Sequence, residues 1–331
     1  MSSPVVVGID IGGTKTAAAV VDPSGASGPI ATAATPALVS PDAVLDAAAA
    51  VAREAAGDRP LAAVGVGTAG VVDVSRGTIV SATDSFVGWV GTDVAGGLAA
   101  RLGVPVRVVN DVDAHALGEL WTGAAASARS FLMVGVGTGV GGCVVVDGRP
   151  LTGRHHVAGE IAHIPAVGAD GLCCPCGRDG HLEAIAAGPA IHRRFVALGG
   201  VADDTRAIVA LAVAGDPLAS RVVREAAVSL GRTIAGIVTT VDPDLVVVGG
   251  GMASAGPLWW DAFEQALRAE LVDVLADLPV LPAVLGPDAA IVGAASLVHR
   301  PPFGASVDSS VASPVDSPFD LSAARPQEEP S

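Results

Sequence analysis

The chain has 331 residues, half of them apolar and 16% charged, enough to bury one large core or two moderate ones. Its formal net charge of −15 repels nucleic-acid phosphates and anionic lipid, which argues against nucleic acid or a membrane as partner. No apolar run reaches the ~18 uninterrupted residues of a membrane span, and four cysteines are too few for a disulfide scaffold in a chain of this length.

The first residues run straight into an apolar stretch without a basic n-region or cleavage site, which predicts a cytoplasmic protein. Val5 to Ile9 read as a strand, Gly12-Gly13 as a turn, and Ala17 to Val21 as a second strand. Ser40-Pro41 opens an Ala-rich helix over Asp42 to Ala56. Ala62 to Gly67 follows as a strand, Asp93 to Leu102 as a helix, and Val106 to Val109 as a buried strand stopping at Asn110-Asp111. Phe131 to Val136, the glycine turn Gly137 to Gly142 and Cys143 to Val146 repeat the strand, turn and strand of the N-terminus. Such a repeat predicts two related α/β domains facing each other across a cleft. After a loop-rich insertion at 150–180, helices are predicted over Glu183–Leu198 and Pro217–Val241. A strand over Leu245–Val248 then ends in Gly249-Gly250-Gly251, with further helices over Leu258–Leu275 and Asp288–Val298. From Pro301 onward the composition turns to Pro, Ser, Asp and Ala, predicting a disordered acidic tail over 301–331.

Two glycine patterns match a dinucleotide fingerprint, Gly65-Gly67-Gly70 and Gly137-Gly139-Gly142, but strand-like residues follow each where a helix is required. The run Gly8 to Lys15 places Thr14 where the lysine of a P-loop belongs, which excludes that motif. What remains is a turn between strands whose glycines expose consecutive backbone N–H groups to an anionic oxygen. Thr14 adds a hydroxyl donor, and Asp10 at the strand end suits a magnesium ion held through water. One such loop is as readily a tight hairpin turn; two in matching places of a repeat point to a phosphate. Cys173, Cys174 and Cys176 lie together in a spacing that suits a metal better than a bridge.

Five motifs occur in a fixed order. They are Asp10-x-Gly12-Gly13-Thr14-Lys15, Asn110-Asp111, Gly137-Thr138-Gly139-Val140-Gly141-Gly142, Gly159-Glu160-Ile161-Ala162-His163, and Cys174-Pro175-Cys176-Gly177-x-x-Gly180-x-x-Glu183. Together they resemble the ROK family of bacterial sugar kinases and sugar-responsive repressors, over residues 4 to about 300. The resemblance implies an α/β protein with the actin-like ATPase fold shared with hexokinase. Its first domain would span residues 1–117, with a last helix at 288–300 packed back on it, and its second residues 118–287.

By the same resemblance Asp111 is the base that takes the proton from the attacking hydroxyl, a role a carboxylate at a strand end can fill. The plainer alternative is that Asp111 caps the helix that follows it. Asn110, Glu160, His163 and Glu183 correspond to the family's hydroxyl-binding set. Asp10, Gly12, Gly13, Thr14, Lys15, Gly137, Thr138 and Gly139 would hold ATP phosphates and Mg2+, with Gly249 and Gly250 beside the adenosine. Asp113 stands where an asparagine is usual, a change expected to matter little. Structural zinc is implied on His163, Cys174, Cys176 and His181, the last replacing a cysteine, with Cys173 as a rival ligand.

The expected activity is ATP-dependent phosphorylation of a hexose at the 6-hydroxyl, with glucose as substrate, or alternatively N-acetylmannosamine or N-acetylglucosamine. A homodimer is the form the family implies. The competing class is a sugar-responsive transcriptional regulator, which needs an N-terminal winged helix of roughly 60 to 80 residues; the first strand begins at Val5. A catalytically inert sugar-binding protein would lack Asp111 or the glycine loops, and both are present.

Overall fold

The computed structural model describes residues 3–83 and 85–301, so the expected acidic tail lies outside the described residues from 302 onward. The chain starts with an antiparallel meander of β1 (Val5–Ile11), β2 (Lys15–Val21) and β3 (Ala31–Ala34). Helix α1 (Pro41–Ala56) begins where Ser40 accepts a hydrogen bond from the Ala43 N–H and Pro41 supplies a helical φ without needing a partner. Then come β4 (Leu61–Thr68), a small ribbon of β5 (Val71–Asp73) and β6 (Thr78–Ser81), helix α2 (Val94–Leu102) capped by Asp93, and β7 (Val106–Asn110). Strands β4 and β7 run parallel to β1, giving the sheet order β3-β2-β1-β4-β7.

Helix α3 (Asp111–Thr122) crosses to the second sheet and runs unbroken through residue 117, the expected domain division. There β8 (Phe131–Val136), β9 (Val140–Val146) and β10 (Arg149–Pro150) form a second meander. The residues predicted as one helix over 183–198 split into α4 (Glu183–Ala186) and α5 (Gly188–Ala197). Ala187 adopts an extended ψ of 149° there, and Pro189 follows Gly188. Pro189 has no N–H to donate back to the preceding turn and fits only the first turn of a helix, so a new helix starts here, which apolar periodicity alone does not reveal. Helices α6 (Thr205–Val213) and α7 (Pro217–Val241) follow, then β11 (Leu245–Gly249), α8 (Pro257–Glu270), β12 (Val280–Pro282) and α9 (Ala289–His299). Helix α8 stops short of the predicted Leu275, because Leu271 is extended and 273–275 form a separate turn. The second sheet has the order β10-β9-β8-β11-β12, the same pattern as the first. Paired sheets of this one topology are the architecture of the actin-like ATPase fold. No described helix is long and apolar enough to cross a membrane.

Helix α9 carries no polar face, since every residue from Ala289 to Leu297 is buried. It lies against β1, β4 and α3. The approach is backbone to backbone, so that a methyl group on Gly8 would overlap the Ile291 carbonyl and one on Gly65 the Ala294 carbonyl. From the helix side, Gly118 faces the Ala289 carbonyl and Gly293 the Ala114 carbonyl in the same manner. Glu119, fully buried in α3, accepts hydrogen bonds from the N–H groups of Val284 and Leu285 at 3.0 and 2.9 Å and from Ala124 at 2.7 Å. A buried carboxylate surrounded by donors in this way ties the lead-in of α9 to the end of α3.

Gly65→Ala should therefore cost about 3 kcal/mol or more, since neither backbone can retreat. Gly236→Ala, on the exposed face of α7 with no atom near the added methyl, should gain about 0.5–1 kcal/mol. Urea unfolding midpoints of the two variants should move in opposite directions.

Candidate active site

Strands β1, β4 and β7 end side by side, with Asp10 paired to Gly67 and Thr68 paired to Asn110. Ligands in open α/β sheets bind outside these carboxyl ends, and Asp10, Asn110 and Asp111 stand there. Asn110 is the N-cap of α3. Its Oδ1 accepts from the N–H groups of Val112 and Asp113 at 2.8 and 3.4 Å, and its Nδ2 donates to the Gly70 carbonyl at 2.9 Å. The capping role considered for Asp111 thus belongs to its neighbour. Asp111 spends one oxygen on the Val112 N–H, at 2.9 Å, and is half-buried at the helix N-terminus.

The carboxylates around this strand edge act on one another. Burial, reinforced by Asp111 and opposed by Lys15, raises Asp10 to about 6. Burial pushes Asp113 up to about 7 despite a hydrogen bond from the Cys143 thiol that favours its anion, and Asp111 and Glu160 push the same way. Glu160 is raised by burial first, then by Asp111 and Glu183. So many acids at close quarters in one cleft suit a ligand set that brings cations and hydroxyl donors. The change at Asp113, expected to be of little weight, places a buried carboxyl rather than an amide in this group.

Each glycine loop is pinned by its own backbone. In the first turn the Gly12 N–H donates to the Lys15 carbonyl, leaving Gly13, Thr14 and Lys15 exposed. In the second the Gly137 N–H donates to the Gly139 carbonyl and the Gly137 carbonyl accepts from Gly188, with Thr138 at the tip. Glu183 Oε2 accepts from the Val140 N–H at 3.1 Å, so this expected sugar ligand also braces the second loop. Gly250, with φ of 86°, lies so close to the Val136 carbonyl that no side chain fits, and Gly251 adjoins Gly137. The glycine run after β11 and the loop after β8 therefore share one surface.

Gly159, at φ 96°, sits against the carbonyl of Gly142, whose N–H donates back to the Gly159 carbonyl at 3.1 Å. This contact fixes Glu160 at the mouth of the cleft. Behind it His163 faces two ways. Its Nε2 lies 3.8 Å from Glu160 Oε2, and its Nδ1 lies 3.6 Å from the Cys174 sulfur. Cys176 and the His181 Nδ1 approach to 3.2 Å, and donor atoms of all four residues lie within 4.8 Å of one another. Two thiolates and two imidazoles at tetrahedral-edge separations, about 3.5 Å for zinc bond lengths, fit that metal. Cys173 is exposed and points its sulfur to the Cys174 carbonyl, outside the cluster.

A narrow pocket, with free space of only about 20 Å³ as the structure stands, is lined by Asn110, Asp113, Glu160, Val72, Thr152 and His156 among others. Asn110 and Glu160 were expected there. Thr152 and His156 were not, since neither belongs to a recognised pattern and the segment reads only as loop. Nothing in a dihistidine within a loop marks which ring turns inward.

The sequence profile of the ROK family matches residues 6–301. A glucokinase of Streptomyces coelicolor is 34% identical over 318 residues, covering 90% of this chain and 98% of that protein. The ROK hexokinase of Thermus thermophilus superposes with a TM-score of 0.77 at 38% identity, covering 88% of this chain and 96% of that one. A ROK family glucokinase of Streptomyces griseus, solved in complex with glucose and AMPPNP, gives 0.77 at 33% identity over 88% of this chain and 98% of its own. Likeness of this depth along nearly the whole of each chain leaves one conclusion: this protein belongs to the ROK family.

Proposed function

We propose that this ATP-dependent sugar kinase transfers the γ-phosphoryl group of ATP to the 6-hydroxyl of a hexose, with glucose as the preferred acceptor. The observation that carries the proposal is the division of labour at the end of β7. Asn110 takes over the capping of α3, so Asp111 keeps a carboxylate oxygen for chemistry beside Asp10 and Glu160. The glucokinase names of the relatives and the glucose held by the Streptomyces griseus structure support the choice of sugar.

In the reaction Asp111 accepts the proton of the 6-hydroxyl while that oxygen attacks the γ-phosphorus. The bond from this phosphorus to the β,γ-bridging oxygen breaks, and ADP leaves. With the Gly12 and Gly137 N–H groups engaged in closing their turns, those of Gly13 and Thr14 and of Thr138 and Gly139 receive the phosphate oxygens, with the hydroxyls of Thr14 and Thr138 as further donors. The glycine run 249–251 lets the adenosine lie against backbone. Asp10 would hold Mg2+ through water, and the ion offsets the negative charge of the phosphates. Asn110, Glu160, His163 and Glu183 orient the sugar hydroxyls. Residues 1–117 with 288–300 would act as one lobe and 118–287 as the other, closing on the bound sugar. Zinc on His163, Cys174, Cys176 and His181 would fix His163, and through it Glu160.

Three measurements test this scheme. Asp111→Asn should lower kcat by roughly 10²- to 10⁴-fold while leaving the calorimetric Kd for glucose nearly unchanged, because an amide keeps the shape but accepts no proton. Asp10 behaves as an acid of about 6 rather than 3.8, so it takes up a proton as pH falls from 7 to 5. KM for MgATP should rise over that interval, extra Mg2+ should offset the rise, and Asp10→Asn should flatten it. Metal analysis should find about one zinc per chain. Cys176→Ala should lose it and bind glucose more weakly, with Tm falling as in chelator-treated enzyme.

A further inference from the structure

We propose that His156 is a sugar-binding residue of this kinase, its Nδ1 pairing with a ring hydroxyl of the bound hexose and so setting preference among hexoses. The proposal rests on the hexose kinase reading of the same cleft. His156 lines the cavity that Asn110 and Glu160 also line. Its Nδ1 is buried and has no hydrogen-bond partner. Buried polar atoms without partners are rare and costly, so one inside a ligand cavity marks a place where the ligand supplies the partner.

His156 holds φ at 62°, in the left-handed region that glycine reaches freely and that asparagine, aspartate and histidine reach more often than other residues. The other ring nitrogen, Nε2, lies 3.9 Å from Asp73 Oδ1. Asp73 ends β5, and the same oxygen accepts from the Ser75 hydroxyl at 2.6 Å and the Ser75 N–H at 3.0 Å. A carboxylate only accepts, so facing it favours the tautomer with the proton on Nε2, which leaves Nδ1 as a free acceptor. A sugar hydroxyl is the donor that fits.

The geometry also sets where the residue acts. Asp73 belongs to the β5–β6 ribbon beside the first sheet, whereas His156 follows β10 of the second. The ring thus faces a carboxylate of the other half, and the pocket has a wall contributed by both halves of the chain.

The test is calorimetric binding of glucose and its single-deoxy analogues to wild type, His156→Gly and His156→Asn. Glycine suits the positive φ, so His156→Gly should keep or raise Tm, and KM for ATP should stay within about twofold. Its Kd for glucose should rise about tenfold, the worth of one well-placed hydrogen bond. That loss should vanish for the one deoxy sugar lacking the partner hydroxyl, which wild type itself should bind about tenfold more weakly. His156→Asn, able to hold the same backbone and to accept, should recover part of the affinity. If His156→Gly binds glucose within twofold of wild type, or loses the same factor for every deoxy sugar, the proposal is overturned. A wild-type enzyme that phosphorylates no hexose sinks the kinase reading and this proposal with it. An active wild type with an indifferent His156→Gly sinks this proposal alone.

Discussion

The contact on which the rest depends is the meeting of backbones around α9. Four glycines, Gly8 and Gly65 on the sheet, Gly118 on α3 and Gly293 on α9 itself, remove the side chains that would hold the layers apart. With them gone, a helix buried from Ala289 to Leu297 can wedge between the first sheet and α3. That wedge sets the height of α3 above the strand ends, and the first residue of α3 is Asp111. A shift of an ångström there would move this carboxylate relative to Glu160, a displacement to which the proton transfer proposed for Asp111 would be sensitive. Glu119 locks the arrangement from below by satisfying three otherwise orphaned N–H groups.

Electrostatics in the cleft follow from this packing. Bringing Asp10, Asp111, Asp113, Glu160 and Glu183 to facing edges raises the cost of ionising several of them together. The protein carries that cost in the free state, and a ligand that brings a cation or hydroxyl donors relieves it. The proposed binding site and the destabilising site would then be the same place, as is common where function needs an arrangement that folding alone would avoid. Lys15, the only lysine in the chain, lies at the first glycine turn and lowers Asp10 against this trend.

The same economy joins the cysteine cluster to the cleft. His163 has one nitrogen toward Cys174 and the other toward Glu160, so a ring oriented by the cluster orients the carboxylate too. Glu183 plays a similar double part, bracing the loop after β8 through the Val140 N–H while standing close enough to Glu160 to raise it. Sites expected to serve separate ligands are thereby held by shared side chains, which ties the position of one to that of the other.

Several features were legible in the residues themselves. The repeated strand, glycine turn and strand, the Ser40-Pro41 helix start and the long apolar period of α7 are local, and local chemistry decides them. The five ordered motifs named the family, to which the chain belongs, and supplied the candidate residues of the site, because phosphate cradling and proton transfer restrict which side chains can serve. The break at Ala187, the β5–β6 ribbon and the capping of α3 by Asn110 in place of Asp111 were not legible. Each is settled within a few residues, but by which of two neighbouring groups ends a helix or satisfies a backbone N–H, a choice that residue type leaves open. The buried Asp113 carboxyl and the turned-in ring of His156 were illegible for another reason, since their surroundings come from segments that meet only when the two sheets are assembled. The sequence by itself determined which chemical groups the protein has and the order in which its elements are built. Which of those groups lose water, face one another and share a cavity was decided by tertiary structure, since burial and proximity are properties of the packed chain and not of any stretch of it.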